Sequence, residues 1–190
     1  MKKHIYIMRH GETLFNAQRR TQGWCDSPLS ERGKADSIVA RKFMKNFPVE
    51  FDAFYSSTSE RASDTLEIVF PKKSYQRLKA LKEMNFGAFE GQPTYLEVWD
   101  KTTFYEAFGG ETRAALVDRV EKAFLEILSP PKNQNVFCVG HGAASWFFLE
   151  DKVKRTTAMS TEGFQNLDLM HLTFDPKTSE FEFCEIVHIL

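Results

Sequence analysis

The chain has 190 residues and a mass of 22.0 kDa, the size of one ordinary domain. Its 42% hydrophobic and 27% charged residues are typical of a folded globular protein and exclude disorder, collagen and coiled coil. Basic and acidic residues nearly balance, 25 against 26, which argues against a general nucleic-acid-binding protein. We therefore predict a single domain over residues 1–190 with no nucleic-acid partner.

The N-terminal apolar run is too short for the core of a signal peptide, because Tyr6 interrupts it and Arg9 ends it. No stretch approaches the roughly 18 apolar residues of a membrane span. These observations predict a cytoplasmic protein with no membrane partner. The three cysteines show no C-x-x-C spacing, which argues against a disulfide framework or a zinc site.

Short apolar runs rich in β-forming residues alternate with helical patterns along the chain. Strands are predicted at 4–8, 51–55 and 135–139. A helix is predicted to begin after the N-cap Ser30, and its predicted apolar face consists of Ala35, Val39, Phe43 and Phe47. A further helix is predicted over 59–70, ended by Pro71.

A later helix is predicted to begin after Thr112, with an apolar stripe of Val117, Val120, Phe124, Ile127 and Leu128. Near the end of the chain, a strand around 170–174 and a turn at 175–179 predict a hairpin with an antiparallel partner over 181–189. The pattern indicates an α/β fold: a three-layer sandwich with a mainly parallel central sheet, helices on both faces and an antiparallel C-terminal strand.

Basic and imidazole side chains directly follow the predicted strands. Arg9 and His10 follow the first, Arg61 lies at the start of the helix after the second, and His141 with Gly142 follows the strand at 135–139. Ligands of parallel α/β sheets bind beyond the carboxyl ends of the strands. Two arginines and two histidines there favour a phosphate group. The arginines would repel a divalent cation, so we expect no metal and no cofactor.

Several separate motifs occur in order along the chain. They are Arg9-His10-Gly11-Glu12-Thr13 with Asn16, then Gln22-Gly23-Trp24, Ser56-Ser57 with Glu60-Arg61-Ala62, Glu83 with Gly87 and Glu90-Gly91, Gly109-Gly110-Glu111, Gly140-His141-Gly142, and Asn166. Together they closely resemble the histidine phosphatase superfamily, in its phosphoglycerate-mutase-like branch. The resemblance spans nearly the whole chain.

This resemblance implies a role for each matching residue. His10 is implied as the nucleophile that becomes a phosphohistidine, and Glu83 as the general acid and base. Arg9, Arg61 and His141 are implied to hold the phosphoryl oxygens, with Asn16 as a neutral donor. Gln22, Gly23 and Gly142 are the remaining implied contacts to phosphate or substrate. The fixed positive charge would take the electrostatic role that Mg²⁺ has elsewhere.

One segment departs from the family pattern. The phosphoglycerate mutases carry paired arginines after the acid segment, whereas residues 84–110 here contain one basic residue, Lys101, against four acidic ones. The same segment holds seven aromatic residues, among them Phe86, Phe89 and Trp99. We expect these aromatics to form an amphipathic helix packed on the core, with a substrate-binding role as the alternative.

The missing basic clamp predicts a metal-independent phosphatase for a small phosphorylated metabolite, with a leaving group that is uncharged or partly apolar. Three alternatives stay open: phosphoglycerate mutase-type phosphoryl transfer, a phosphoprotein phosphatase, and a phospho-ligand-binding relative with weak catalysis. The oligomeric state is undetermined by the sequence, although an exposed aromatic face could support a dimer.

Overall fold

The computed structural model describes residues 1–98, 100–154 and 163–190. One mixed sheet forms its centre. Its strands, in chain order, are β1 (Lys3–Arg9), β2 (Ala53–Ser57), β3 (Gln76–Leu78), β4 (Asn135–Gly140), β5 (Val153–Lys154), β6 (Leu169–Asp175) and β7 (Glu180–Val187). Their order across the sheet is β3-β2-β4-β1-β6-β7-β5.

The sheet divides into a parallel part and a C-terminal hairpin. Strands β3, β2, β4 and β1 pair in parallel, whereas β6 pairs antiparallel with β1 and β7 pairs antiparallel with β6. This arrangement confirms the predicted fold class. Strand β2 ends at Ser57 rather than at Tyr55, and the short edge strands β3 and β5 had no sequence signal of their own.

Within the described ranges, five α-helices accompany the sheet: α1 (Leu14–Ala17), α2 (Glu31–Lys45), α3 (Glu60–Val69), α4 (Arg113–Leu128) and α5 (Gly142–Lys152). Alternate residues of β1 face opposite layers, because side chains alternate along a strand. Ile5 and Ile7 belong to the core that contains α4 and α5, and Tyr6 and Met8 to the core that contains α2 and α3. No helix in the described ranges is long and apolar enough to cross a bilayer.

Side-chain caps explain where two of the helices begin. The Ser30 hydroxyl accepts from the Gly33 N–H at 2.9 Å, and the Thr112 hydroxyl accepts from the Ala115 N–H at 3.1 Å. Each bond satisfies an N–H that lacks a partner within the helix. The predicted apolar stripe of α4 is buried, as Val120 and Phe124 at its centre show.

The predicted apolar face of α2 is wrong. Val39 is 45% exposed and Phe43 37% exposed, while the buried row runs through the small residues Gly33, Ser37 and Ala40. The cause is the close approach of Gly33 to the loop after β1, where an added Cβ would lie 2.0 Å from the Glu12 carbonyl oxygen. That contact places the face with Gly33, Ser37 and Ala40 against the sheet and leaves Val39 and Phe43 at the surface.

The amphipathic helix expected in residues 84–110 is also wrong. The segment consists of short 3₁₀ turns at Gly87–Phe89, Thr94–Leu96 and Phe104–Phe108. Gly87, Gly91 and Gly109 all have positive φ, which breaks helical continuity. The aromatic side chains still pack together: the Phe89 ring lies 5.4 Å from Phe104, 5.5 Å from Tyr105 and 5.2 Å from Phe108. Trp99 lies outside the described residues.

Candidate active site

The carboxyl ends of three parallel strands bring the predicted residues to one edge of the sheet. Arg9 ends β1 and is in register with Gly140 at the end of β4, so the residues that follow, His10 and His141, are neighbours. Their ring centroids lie 5.3 Å apart. Arg61, in the first turn of α3, contacts both rings. Parallel strand pairing therefore assembles a cluster whose members are far apart in sequence.

The Nε2 atom of His10 is unprotonated. The ring is 4% exposed, and its Nδ1 lies 2.8 Å from the Gly11 carbonyl oxygen. Because a carbonyl only accepts, Nδ1 carries the proton, and Nε2 accepts from Arg61 Nε at 3.3 Å. Burial, together with the positive charges of Arg61 and Arg9, lowers the pKa of His10 well below its usual 6.5. A neutral imidazole with a free Nε2 can act as a nucleophile.

Arg61 is completely buried, and each of its five N–H groups has a partner in the protein. Its Nη1 donates to the Cys25 carbonyl at 3.1 Å and to Asp26 Oδ1 at 2.8 Å. Its Nη2 donates to the Gly23 carbonyl at 2.9 Å and to His141 Nδ1 at 3.1 Å. The guanidinium thus orients both histidines and ties them to the loop at 23–26.

Three buried N–H groups around His10 have no partner within the described part of the chain: Arg9 Nε, Gln22 Nε2 and His141 Nε2. His141 accepts at Nδ1 from Arg61, so its proton lies on Nε2. Burial and the charge of Arg61 also lower the pKa of His141 well below 6.5. Leaving a buried donor unpaired is unfavourable, by about 1–3 kcal/mol for each group. Three such groups in one cluster indicate a site for an anion.

The other predicted contacts divide into two groups. Asn16, Gln22 and Gly142 line the cavity beside His10. Gly142 allows a close approach of Arg9, because an added Cβ would lie 3.3 Å from Arg9 Nε and the guanidinium would have to shift by a few tenths of an ångström. Gly23 does not line the cavity: its N–H donates to Glu90 Oε2 at 3.0 Å, and its carbonyl accepts from Arg61. Its place in the structure is to support Arg61.

Glu83 also lines the cavity, with 7% of its surface exposed. Its carboxylate accepts from the first free N–H groups of α5, with Oε2 2.9 Å from Ala143 N and Oε1 2.7 Å from Ala144 N. It also accepts from the Met84 N–H at 2.9 Å. A carboxylate at a helix N-terminus is favoured by the helix dipole. These bonds fix the carboxylate where it faces the cavity.

Two supporting residues were missed by the sequence analysis. Glu90 accepts four backbone N–H bonds, from Gly23, Trp24, Cys25 and Phe86, and so joins the loop under Arg61 to the segment at 84–110. Its sequence signal was the motif position beside Gly91, which carried no assigned role.

Arg119, in the middle of α4, fixes the backbone of Glu83, the predicted general acid. It donates to the carbonyls of Ala80, Lys82 and Glu83 at 2.7–2.8 Å and forms an ion pair with Glu111 at 2.6 Å. Its position among the polar residues of an amphipathic helix gave no signal, because surface arginines are common there.

We expect Arg119→Met to lower the free energy of unfolding by about 2–3 kcal/mol, because it leaves three carbonyls and the Glu111 carboxylate without their donor. The displaced Glu83 should also lower kcat/KM about tenfold, more for alkyl than for 4-nitrophenyl phosphate esters, since the poorer leaving group needs the proton more. Urea unfolding and phosphate release measure the two effects. Lys122→Met, on the exposed face of α4, is the matched control. Wild-type values for Arg119→Met in both assays would contradict the prediction.

Stability should depend on pH through the two site histidines. Below pH 6.5 the unfolded chain binds protons at His10 and His141 that the folded protein does not, because both folded-state pKa values are lowered. Stability is therefore lost as the pH falls, by about 1.4 kcal/mol for each histidine between pH 7.5 and 5.5. Urea unfolding of the wild type and of His10→Asn/His141→Asn measures this. An equal pH dependence in both proteins would exclude the effect.

A cavity of about 680 Å³ opens from this cluster to the surface. Besides the phosphate-facing residues, its wall includes four aromatic side chains, Phe86, Trp146, Phe147 and Phe164. Of the aromatics in the segment at 84–110, only Phe86 contributes among the described residues. Phe104, Tyr105 and Phe108 pack around Phe89 instead, and Tyr95 is exposed to solvent. Most of the apolar wall therefore comes from α5 and from the loop before β6.

Residues 5–186 match the model of the histidine phosphatase superfamily, branch 1, and the chain belongs to this family. A 2,3-bisphosphoglycerate-dependent phosphoglycerate mutase of Bartonella henselae is 25% identical over 159 residues, which cover 75% of this chain and 77% of that protein. Bacillus stearothermophilus YhfR is similar in structure, with a TM-score of 0.81 and 27% identity over 98% of this chain and 99% of that one. The fold is also that of mycobacterial glucosyl-3-phosphoglycerate phosphatase, with a TM-score of 0.75, 22% identity, and coverage of 96% and 98%.

Proposed function

We propose that this protein is a metal-independent phosphatase that hydrolyses a small phosphorylated metabolite through a phosphohistidine on His10. The observation that carries the proposal is the set of unpaired buried donors, Arg9 Nε, Gln22 Nε2 and His141 Nε2, close to an imidazole whose Nε2 is unprotonated. Donors to anionic oxygens beside a nucleophile are the requirements of phosphoryl transfer.

In the first step, His10 Nε2 attacks phosphorus as the bond from phosphorus to the ester oxygen breaks. Glu83, in its protonated form, gives its proton to the departing oxygen. Arg61 Nε–H, which donates to Nε2 in the free enzyme, turns to a phosphoryl oxygen once the N–P bond forms. Arg9, His141, Gln22 and Asn16 stabilise the remaining charge on the phosphoryl oxygens.

In the second step, the Glu83 carboxylate takes a proton from a water molecule. The water oxygen attacks phosphorus, the N–P bond breaks, and inorganic phosphate leaves with His10 neutral again. Positive charge from the two arginines is present throughout, so the charge on phosphorus is stabilised without a metal ion. The low pKa of His10 keeps the imidazole neutral and ready for the next cycle.

Hydrolysis is proposed over mutase chemistry because the covering segment, residues 84–110, has no cation without a carboxylate partner. Lys101, its single basic residue, forms an ion pair with Glu97 at 2.5 Å and lies over the Phe86 ring at 5.4 Å. A bisphosphorylated intermediate would need several cations to hold its second phosphate, and the described wall away from His10 offers one guanidinium, Arg20, beside the paired Lys101. Phosphate release to water, rather than return to a second hydroxyl, is the outcome this arrangement favours.

The test follows phosphate release from 4-nitrophenyl phosphate and from a panel of phosphorylated metabolites, in EDTA. A parallel reaction with a ³²P-labelled ester is quenched in alkaline detergent, because phosphohistidine is labile in acid. We expect turnover in EDTA and a labelled protein band. Activity only after addition of a divalent metal, or conversion of 3- to 2-phosphoglycerate faster than phosphate release, would contradict the proposal.

A further inference from the structure

The cavity has room for much more than a phosphate group. Its volume of about 680 Å³ falls within the roughly 300–1,000 Å³ of pockets that hold small organic ligands. The phosphate-facing donors are grouped around His10, so the remaining wall contacts the organic part of the substrate. The chemistry of that wall therefore defines the substrate class.

One side of this outer wall is apolar. Trp146 and Phe147 from α5 meet Phe164, which precedes β6, and Phe86 completes the surface. Phe86 and Phe164 are almost fully buried, which holds their rings in place. Aromatic walls of this kind bind apolar or ring-shaped groups by contact area.

The acidic side chains of the cavity are already matched by protein donors. Glu97 accepts from Thr21 at 2.8 Å and pairs with Lys101. Glu150 accepts from Trp146 Nε1 at 2.9 Å and pairs with Arg113 at 2.8 Å. Neither carboxylate needs a cation from the substrate.

Arg20 is different. Its Nε donates to the Gly91 carbonyl at 2.6 Å, and its guanidinium carbon lies 4.7 Å from the centre of the Phe15 ring. These two contacts hold the side chain at the cavity wall. Across residues 1–98, 100–154 and 163–190, no carboxylate forms an ion pair with it. An oriented guanidinium with unused Nη donors matches a carboxylate well.

We infer that Arg20 binds a carboxylate on the organic part of the substrate. The substrate class is then a phosphomonoester in which an apolar, ring-sized body separates the phosphate from a carboxylate. This keeps the partly apolar leaving group expected from the sequence but replaces an uncharged one with one that carries a single negative charge. This inference rests on the proposed function, since the phosphate must lie at His10. A carboxylate fits better than a second phosphate, because one guanidinium balances one negative charge and Glu97 and Glu150 disfavour a dianion.

The test compares phenyl phosphate with its 3-carboxy and 4-carboxy derivatives, in the wild type, Arg20→Gln and the control Arg19→Gln. Arg19 is exposed, as Arg20 is, but does not line the cavity, so its replacement removes the same charge from the same turn. We expect kcat/KM about three- to fivefold higher for at least one carboxylated ester in the wild type and in Arg19→Gln. In Arg20→Gln this preference should disappear, while kcat/KM for phenyl phosphate changes less than about twofold.

Equal kcat/KM for all three esters in the wild type, or a preference that persists in Arg20→Gln, would overturn the inference. Absence of turnover in every protein would contradict the proposed function instead. Calorimetric titration with benzylphosphonate and its 3-carboxy and 4-carboxy derivatives then decides the role of Arg20, because binding needs no hydrolysis. Tighter binding of a carboxylated phosphonate that is lost in Arg20→Gln supports the inference, and equal binding overturns it.

Discussion

Replacing His10 by alanine is expected to lower kcat by roughly 10⁴–10⁶-fold, because the variant has no imidazole to form the N–P bond. The residual donors, Arg9 Nε, Gln22 Nε2 and His141 Nε2, should still hold the ester, so its affinity should change much less than kcat. Phosphate release gives the rate, and the alkaline quench should show no labelled protein in the variant.

His4→Ala is the matched control. His4 lies on β1, the strand that His10 follows, but it forms a hydrogen bond with His171 at 2.9 Å and does not line the cavity. It should retain the wild-type rate and the labelled band. Near wild-type turnover in His10→Ala would show that phosphate is lost by direct attack of water, and the proposed intermediate would be excluded.

Glu83→Gln should lower kcat by about 10²–10⁴-fold for alkyl phosphates, because glutamine cannot donate or accept the transferred proton. The reduction should be much smaller for 4-nitrophenyl phosphate in the first step, since nitrophenolate leaves without a proton. Breakdown of the phosphohistidine needs Glu83 with every substrate. We therefore expect a burst of nitrophenol followed by slow turnover, with phosphorylated protein accumulating.

Rapid mixing with 4-nitrophenyl phosphate measures the burst, and the alkaline quench measures the phosphoprotein. Glu106→Gln, an exposed carboxylate in the same covering segment, is the control and should behave as the wild type. An equal loss for both classes of ester without a burst would show that Glu83 maintains the site's structure rather than moving a proton.

Much of the fold was readable from local patterns. The strands around Ile5 and Val136 and the buried stripe of α4 follow from hydrophobic periodicity, and the start of α2 follows from the Ser30 cap. Such signals depend on neighbours in sequence, so they survive without tertiary information. The wrong predictions, the apolar face of α2 and the helix in 84–110, concern places where tertiary contacts determine the local structure. The close contact of Gly33 with Glu12 turned α2, and positive-φ glycines divided 84–110 into short turns.

The chain contains 18 phenylalanines against 5 tyrosines and 3 tryptophans, and the packing explains where many of them are used. Phe51, Phe54, Phe70 and Phe137 pack together on one side of the sheet, with ring centroids 4.8–6.0 Å apart. A second cluster surrounds Phe89 in the covering segment. Edge-to-face packing lets many rings fill one core. The composition shows how many phenylalanines there are, whereas only the packing shows that most of these rings do not line the cavity.

By itself, the sequence determined the family, the five longer strands with helices α2, α3 and α4, and the residues whose chemistry suits a phosphoryl group; it did not indicate β3, β5, α1 or α5. Short-range patterns and motif residues carry that information. The tertiary structure alone decided that every N–H of Arg61 donates to the protein and that Glu90 and Arg119 support the site. It also decided that Arg20 lies at the cavity wall with no carboxylate partner among the described residues. Hydrogen-bond partners and charge balance depend on groups brought together across the sheet, and no local pattern of residues specifies them.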